Sequence, residues 1–402
     1  VRLAIAVAVS SAAITVAPVE LRADDGDGEA GEATARAPDR LDIDLSLEAG
    51  TEYDSNIHRL EVPDGEMVDI ASAPLLRGAA RLRGKIRIGG RSRVRFAGLL
   101  GGKLFLTDEG QSENVGIASA DARVEHPLRS RRAMTFVRGA YYESSAFDPT
   151  SAGDDELVGR NFETVLGDVG VTVAGPGNHR ISIHAGARRF RYKPDADFDW
   201  DGDHYGLTYQ TTIWRGDPDV DLDVASIDVD VRYELGRRRY GGKAFANSCA
   251  DEEVADPMCI VPTTFDRSDL HHSVRAEATY TGDRVWLAAY ELQLADSNSF
   301  GQSLLRQRID LGVTTETWRQ IYATVRATVL VNIFLDPLLL ARDVQAQTFL
   351  TIDDENRNAL SLHLSRDFGD HWTGDVRYAI YTNEFATDEL SFRRQIAYLG
   401  VG

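Results

Sequence analysis

Leu41-Asp42-Ile43-Asp44-Leu45-Ser46-Leu47-Glu48-Ala49-Gly50-Thr51-Glu52-Tyr53 alternates apolar or small residues at odd positions with mostly polar ones at even positions. A period of two describes a β-strand with one greasy and one charged face. Soluble strands usually stop after about five or six residues, whereas this run matches the length of a strand that crosses a bilayer at a tilt. The pattern recurs along the chain. Leu82, Gly84, Ile86 and Ile88 oppose Arg81, Arg83, Lys85 and Arg87, and Val94, Phe96, Gly98 and Leu100 follow a tight Gly89-Gly90-Arg91-Ser92 link. Ile181, Ile183 and Ala185; Tyr205, Leu207 and Tyr209; Ile227, Val229, Val231 and Tyr233; Ile321 to Val331; and Leu360, Leu362 and Leu364 repeat it.

The links carry a second signal. Short ones at 89–92, 127–132, 175–179, 215–218 and 281–284 alternate with long ones at 54–75, 145–161, 193–203 and 236–269. Short turns at one end and long loops at the other define an up-and-down barrel in an outer membrane. Aromatic residues gather at strand ends (Tyr53, Phe105, Tyr141, Tyr142, Phe162, Tyr192, Tyr205, Trp214, Tyr280, Trp286, Trp318 and Trp372), where girdles meet the headgroups. The fold expected is all-β, a transmembrane antiparallel up-and-down β-barrel. Periodicity gives 17 strands, an odd number that a single-chain bacterial barrel with both ends in the periplasm does not have, so 16 or 18 are expected. The ambiguity lies between Trp318 and Trp372, where Phe334 to Asp343 and Asp353 to Asn358 read equally as loop or strand. A soluble all-β domain is the alternative.

Around the barrel, residues 1–23 read as a signal peptide: Arg2 precedes an apolar run from Leu3 to Val16, and Leu21-Arg22-Ala23 offers a cleavage site. Residues 24–40 are small and acidic, a disordered linker by composition, and 41–402 form the barrel. The 402 residues include 63 acidic and 44 basic side chains, a formal net charge of -19, which argues against nucleic-acid partners. Thirty-five glycines and 14 tyrosines beside three methionines fit a β protein. Two cysteines, Cys249 and Cys259, cannot build a zinc ribbon; inside the longest link of an exported chain they are expected to pair as a disulfide.

Tyr53-Asp54-Ser55-Asn56 resembles the YDSN-type signature of a family of outer-membrane β-barrel porins of Gram-negative bacteria. Asp296-Ser297-Asn298-Ser299 and Tyr381-Thr382-Asn383-Glu384 repeat it loosely where an ascending strand should enter an outside loop, and Arg393, Arg394 and Tyr398 are similar to the family's closing strand. The resemblance covers Leu41 to Gly402. It departs at Leu399-Gly400-Val401-Gly402, which lacks the terminal aromatic residue usual in bacterial barrels. It implies contact with outer-membrane lipid and lipopolysaccharide. Some proteins of this kind export exopolysaccharide, which implies that cargo and a periplasmic polysaccharide export protein as partner.

Charge placement is the most informative functional feature. A charged side chain facing lipid at the bilayer midplane costs about 2–4 kcal/mol, so Arg77, Arg81, Arg83, Lys85, Arg87, Arg93, Arg95 and Lys103 should face the lumen as a basic ladder. Asp221, Asp223, Asp228 and Asp230 are expected on the opposite wall. The ladder reads either as a constriction selecting anionic or polyhydroxylated solutes, or as one side of cross-lumen ion pairs that fill a structural barrel. The short turns add Arg91, Arg129, Arg131, Arg132, Arg215, Arg284 and Arg319 at the periplasmic side.

In the link after Lys193, Asp197, Asp199 and Asp201 alternate before Gly202, like the opening of a calcium loop, but Thr208 stands where a bidentate glutamate would be; a solvated acidic loop is the alternative, and no other cofactor is expected. A lipid hydrolase is a minor reading, on His363 with Ser365 and Ser182 with His184, each pair on one strand face. Both pairs point inward rather than to lipid and lack an orienting third group, so no enzyme is expected. The remaining choices are a channel for solute or polymer, with exopolysaccharide export as the particular expectation, and a plugged structural or surface-interaction barrel.

Overall fold

The computed structural model describes residues 41–58, 62–63, 69–88, 91–129, 132–146, 161–193, 195–215, 225–249, 259–318, 320–336, 358–369, 371–382, 390–391 and 393–402. The signal and linker segments lie outside these residues. The strands are β1 (Leu41–Asp54), β2 (Val62–Pro63), β3 (Ala73–Ile88), β4 (Ser92–Phe105), β5 (Val115–Pro127), β6 (Ala133–Ala146), β7 (Phe162–Ala174), β8 (Arg180–Tyr192) and β9 (Trp200–Arg215). They continue as β10 (Ser226–Asn247), β11 (Ile260–Thr281), β12 (Arg284–Ser297), β13 (Leu304–Glu316), β14 (Ile321–Phe334), β15 (Asn358–Phe368), β16 (Trp372–Thr382), β17 (Leu390–Ser391) and β18 (Arg393–Val401).

All but β2 and β17 join one closed antiparallel barrel whose neighbours follow chain order. β2 and β17 pair as a separate two-stranded sheet. The barrel therefore has 16 strands among the described residues, the lower of the two expected numbers. β14 ends at Phe334 and β15 starts at Asn358, and the rest of the ambiguous region, 337–357, lies outside the described residues. Closure matters energetically, because it leaves no ladder edge whose unpaired backbone would meet hydrocarbon. Among the described residues no helix is long and apolar enough to cross a membrane.

The two faces separate by parity as the alternation requires. Leu45, Leu47, Val137, Ile183, Ile213, Leu311 and Leu360 are exposed on the outer face. Glu48, Glu52, Asp54, Arg77 and Lys103 lie buried on the inner one. An outer surface this apolar, on a closed ladder, is the surface of a protein solvated by lipid.

Two expectations are corrected. The link at 236–269 is mostly strand: β10 and β11 each run 22 residues and form an arm that outlasts its neighbours. Arg237-Arg238-Arg239 and Gly241-Gly242 break the apolar alternation there, and the register shifts between Arg239 and Lys243 and again before Phe245. Above a bilayer both faces of a strand are wet, so periodicity fades while pairing continues.

The aromatic girdle is the second. Tyr53, Tyr205, Trp214, Trp286, Trp318 and Trp372 are exposed, but Phe105, Tyr142, Phe162 and Tyr192 are buried. Phe162 shares the parity of Asp168, and Tyr142 that of Arg138, so these rings point inward. Tyr142, Phe162, Phe190 and Trp200 form a continuous ring stack on the inner wall, with successive centroids 5.6, 5.4 and 5.8 Å apart. Ile117 and Tyr192 complete this small core. Strand-end aromatics carry no facing information unless they are counted in register with their strand.

Candidate lumen site

The long links cluster at one end of the barrel and the short ones at the other, which makes the former the outside and the latter the periplasmic end. At the outside end the first and last strands are fastened by the Tyr53-Asp54-Ser55-Asn56 segment. Asp54, fully buried, accepts a hydrogen bond from Arg394 Nε at 2.8 Å and a second from the same guanidinium. Ser55 N donates to the Gln395 carbonyl at 3.0 Å, and Gln395 N donates to Ser55 Oγ at 2.8 Å. Asn56 Nδ2 reaches the Arg393 carbonyl at 3.4 Å, while its own amide bonds Asp54 Oδ1. The β1–β18 register is short, Ala49 to Asp54 against Val401 to Ile396, so these side-chain bonds supplement the least extensive junction in the barrel.

The Asp296-Ser297-Asn298-Ser299 segment does related work between other strands. Asn298 Oδ1 accepts from Ser268 N at 2.8 Å, its Nδ2 donates to the Asp266 carbonyl at 3.0 Å, and Ser299 Oγ accepts from Phe245 N at 3.0 Å. Of the third segment, Tyr381 and Thr382 end β16, and Asn383 and Glu384 lie outside the described residues.

Below the fastening, the basic ladder of β3 and β4 faces inward throughout, but it divides by depth. In the outer half, Arg81 meets Glu48 at 2.8 Å, and Arg77 meets Glu48 at 3.5 Å and Glu52 at 3.4 Å. Lys103 meets Glu52 at 2.7 Å, and Arg377 of β16 meets Glu48 at 3.2 Å. The Tyr398 ring lies beneath the Arg77 and Arg377 guanidiniums, 5.0 and 4.9 Å from its centroid. In the periplasmic half, no carboxylate among the described residues is within ion-pair distance of Arg83, Lys85 or Arg87. Arg93 and Arg95 share Glu125 with Arg123, at 2.5, 3.5 and 3.0 Å.

The expected acidic wall is reduced. Asp228 accepts from Thr212 and Ser226, and Asp230 pairs with Arg232 at 2.6 Å. Asp221 and Asp223 fall in the link between β9 and β10, outside the described residues. Among the described residues, ion pairs of the inner wall run between residues no more than two strands apart, as in Arg138 with Asp121 and Asp168, Arg275 with Glu291 and Asp310, and Arg188 with Glu234. None of these spans the lumen. A 16-stranded ring is too wide for side chains of opposite walls to meet across it.

The other candidates are placed as follows. Cys249 and Cys259 are bridged at the tip of the β10–β11 arm, with Cα atoms 5.4 Å apart. Two of the three loop carboxylates are taken up by arginine: Asp199 and Asp201 meet Arg191 at 3.6 and 3.1 Å, Asp201 also accepts from Arg189 at 2.8 Å and Asp199 from the Tyr192 amide at 2.7 Å, while the Asp197 backbone amide donates to Asp195. Among the described residues no three His, Cys, Asp or Glu side chains gather to hold a metal ion. His363 Nε2 is bonded to Asp375, an orienting carboxylate that sequence spacing did not reveal because it comes from the neighbouring strand. No bond between Ser365 and His363 exists among the described residues, and Ser182 bonds Thr172 instead. Asp168 and His204 bond each other across β8, directly over Gly186, where any Cβ would collide with both.

The closed ladder, its apolar outer face and its charged, water-wide interior define a transmembrane β-barrel of the Gram-negative outer membrane. No family model and no curated protein matches the chain. Among solved structures it is similar to Salmonella typhi OmpF in complex with daunomycin, at 10% identity and a TM-score of 0.46, covering 90% of this chain and 97% of that one. It is likewise similar to Pseudomonas putida OprB, at 11% and 0.46, covering 89% and 93%. A bacterial polysaccharide outer membrane secretin aligns at 8% and 0.38, covering 88% and 97%. Likeness at this level says nothing about cargo.

Proposed function

We propose that the barrel is a channel whose lumen favours anionic solutes or polymers, with exopolysaccharide as the cargo. One observation supports the channel reading: among the described residues the inner-wall charges pair along the wall and not across it, so this network lines the bore without filling it. The preference for anions rests on Arg83, Lys85 and Arg87, cations that keep no carboxylate partner among the described residues in a chain of net charge -19. In an open bore, mobile anions would supply the missing countercharge and would be the permeant species. The choice of exopolysaccharide comes from the resemblance carried by Tyr53 to Asn56 and Arg393 to Tyr398. A periplasmic polysaccharide export protein would then be the partner at the short-link end.

Two experiments test the reading. Purified protein in planar bilayers should give stepwise conductance in potassium chloride; silent membranes containing folded barrel would favour the structural alternative. Deleting the gene should abolish exopolysaccharide secretion while the polymer accumulates in the periplasm. Unchanged secretion would remove that cargo.

A further inference from the structure

The registers of β3, β4, β5 and β6 contain an arrangement that alternation along one strand does not reveal. Lys85 stands opposite Arg95, Arg95 opposite Arg123, and Arg123 opposite Arg138. Four cations thus sit side by side on four adjacent strands, all on the inner face. The row ends in a carboxylate at each side: Asp42 opposes Lys85 on β1, and Asp168 opposes Arg138 on β7. Arg83, Arg87 and Arg93 flank it, with Arg87 directly opposite Arg93.

Like charges facing each other across a ladder destabilise it, so such a row needs compensation. Part of it comes from within the wall. Glu125 serves Arg93, Arg95 and Arg123, and Asp121 serves Arg138. The depth of these groups is telling: the Glu125 side chain is 0% exposed, whereas those of Arg95, Arg123 and Arg138 retain 19%, 18% and 18%. The carboxylate is beneath and the guanidiniums face the water. Arg123 is further held with its carbon 3.8 Å from the centroid of the Phe136 ring, which fixes its plane. Seven cations here meet five carboxylates, Glu125, Asp121 and Asp168 within ion-pair distance and Asp42 and Asp44 opposite Lys85 and Arg83, which leaves the lumen surface net positive.

We infer that this transverse row is a binding track for a linear polyanion, specifically an anionic polysaccharide. The inference rests on the channel reading above and deepens it by naming the class of cargo. Strands are about 4.8 Å apart, so four side chains span about 14 Å, longer than one small anion and suited to successive charges on a chain. A row perpendicular to strands that tilt by about 40° also climbs obliquely around the bore, giving a threaded polymer a continuous path. Guanidiniums match carboxylates in bidentate geometry, which favours uronate-type groups over simple halide screening.

The test is calorimetry on the detergent-solubilised full chain with a decamer of galacturonate as probe. A neutral maltooligosaccharide of equal length and monomeric galacturonate are the comparisons. The decamer should bind at least tenfold more tightly than either, and Lys85→Gln combined with Arg95→Gln should weaken it about tenfold while Arg95→Lys alone weakens it less. Raising salt from 0.1 to 1 M, which shortens the screening length from about 10 to about 3 Å, should weaken wild-type binding more than tenfold and needs no variant to fold. Equal affinity for the neutral chain, equal affinity for the monomer, or salt-insensitive binding would each overturn the track. Decamer binding without bilayer conductance would support the track and remove the channel; conductance without binding would do the reverse.

Discussion

The outer and periplasmic halves of the inner wall are made from the same side chains used in opposite ways. In the outer half every named cation of the ladder has an acid: Glu48 and Glu52 take Arg77, Arg81, Lys103 and Arg377, and Asp54 takes Arg394. An aromatic stack covers the wall beside them. In the periplasmic half Arg83, Lys85 and Arg87 have none among the described residues, and three arginines divide one Glu125. Buried charge must be matched or it destabilises the fold, whereas charge at a water-filled bore is solvated and keeps its field. The outer half therefore holds the barrel shut as a ring, and the periplasmic half projects potential into the lumen.

Substitutions should separate the two. The largest effect is expected at the β1–β18 junction: Asp54→Ala strands the buried Arg394 and should cost about 3–5 kcal/mol, read as lost heat-modifiable migration or a lower melting temperature. A variant as stable as wild type would show that the junction is held by backbone pairing alone. Next comes the aromatic stack, where Phe162→Leu should cost about 1–2 kcal/mol through lost ring contacts and imperfect filling. Reducing the Cys249–Cys259 bridge should leave barrel melting nearly unchanged and increase proteolysis at the tip of the β10–β11 arm, because a short loop is tied there and the closed ladder is not. A collapse of the whole barrel on reduction would make the arm part of the scaffold. The smallest stability effect, within about 0.5 kcal/mol, belongs to Arg83→Gln, which removes a cation with no carboxylate within ion-pair distance among the described residues.

The same division explains what could be read from sequence. Leu41 to Tyr53 and Arg81 to Ile88 disclose the strands and their facing, because a bilayer outside and water inside enforce a strict period of two. Membrane length then separates barrel from sandwich. The β10–β11 arm was hidden beyond the bilayer, where Arg237, Arg238 and Arg239 bear no such constraint. The roles of Asp54, Ser55 and Asn56 were invisible for a different reason: their partners lie some 340 residues away, and only ring closure brings Arg394 beside Asp54. Asp375 beside His363 and the row from Lys85 to Arg138 are likewise properties of register, which no single strand records.

The claim that the periplasmic half faces open water and sets selectivity is tested most directly by the zero-current potential of the reconstituted protein across a potassium chloride gradient. Wild-type protein should show the sign of anion preference, diminishing as salt is raised on both sides because screening shortens the reach of the field. The triple variant Arg83→Glu, Lys85→Glu, Arg87→Glu should keep its conductance and shift the potential towards cations. Conductance that is cation-selective in wild type, or that keeps the same zero-current potential in the triple variant, would contradict the account.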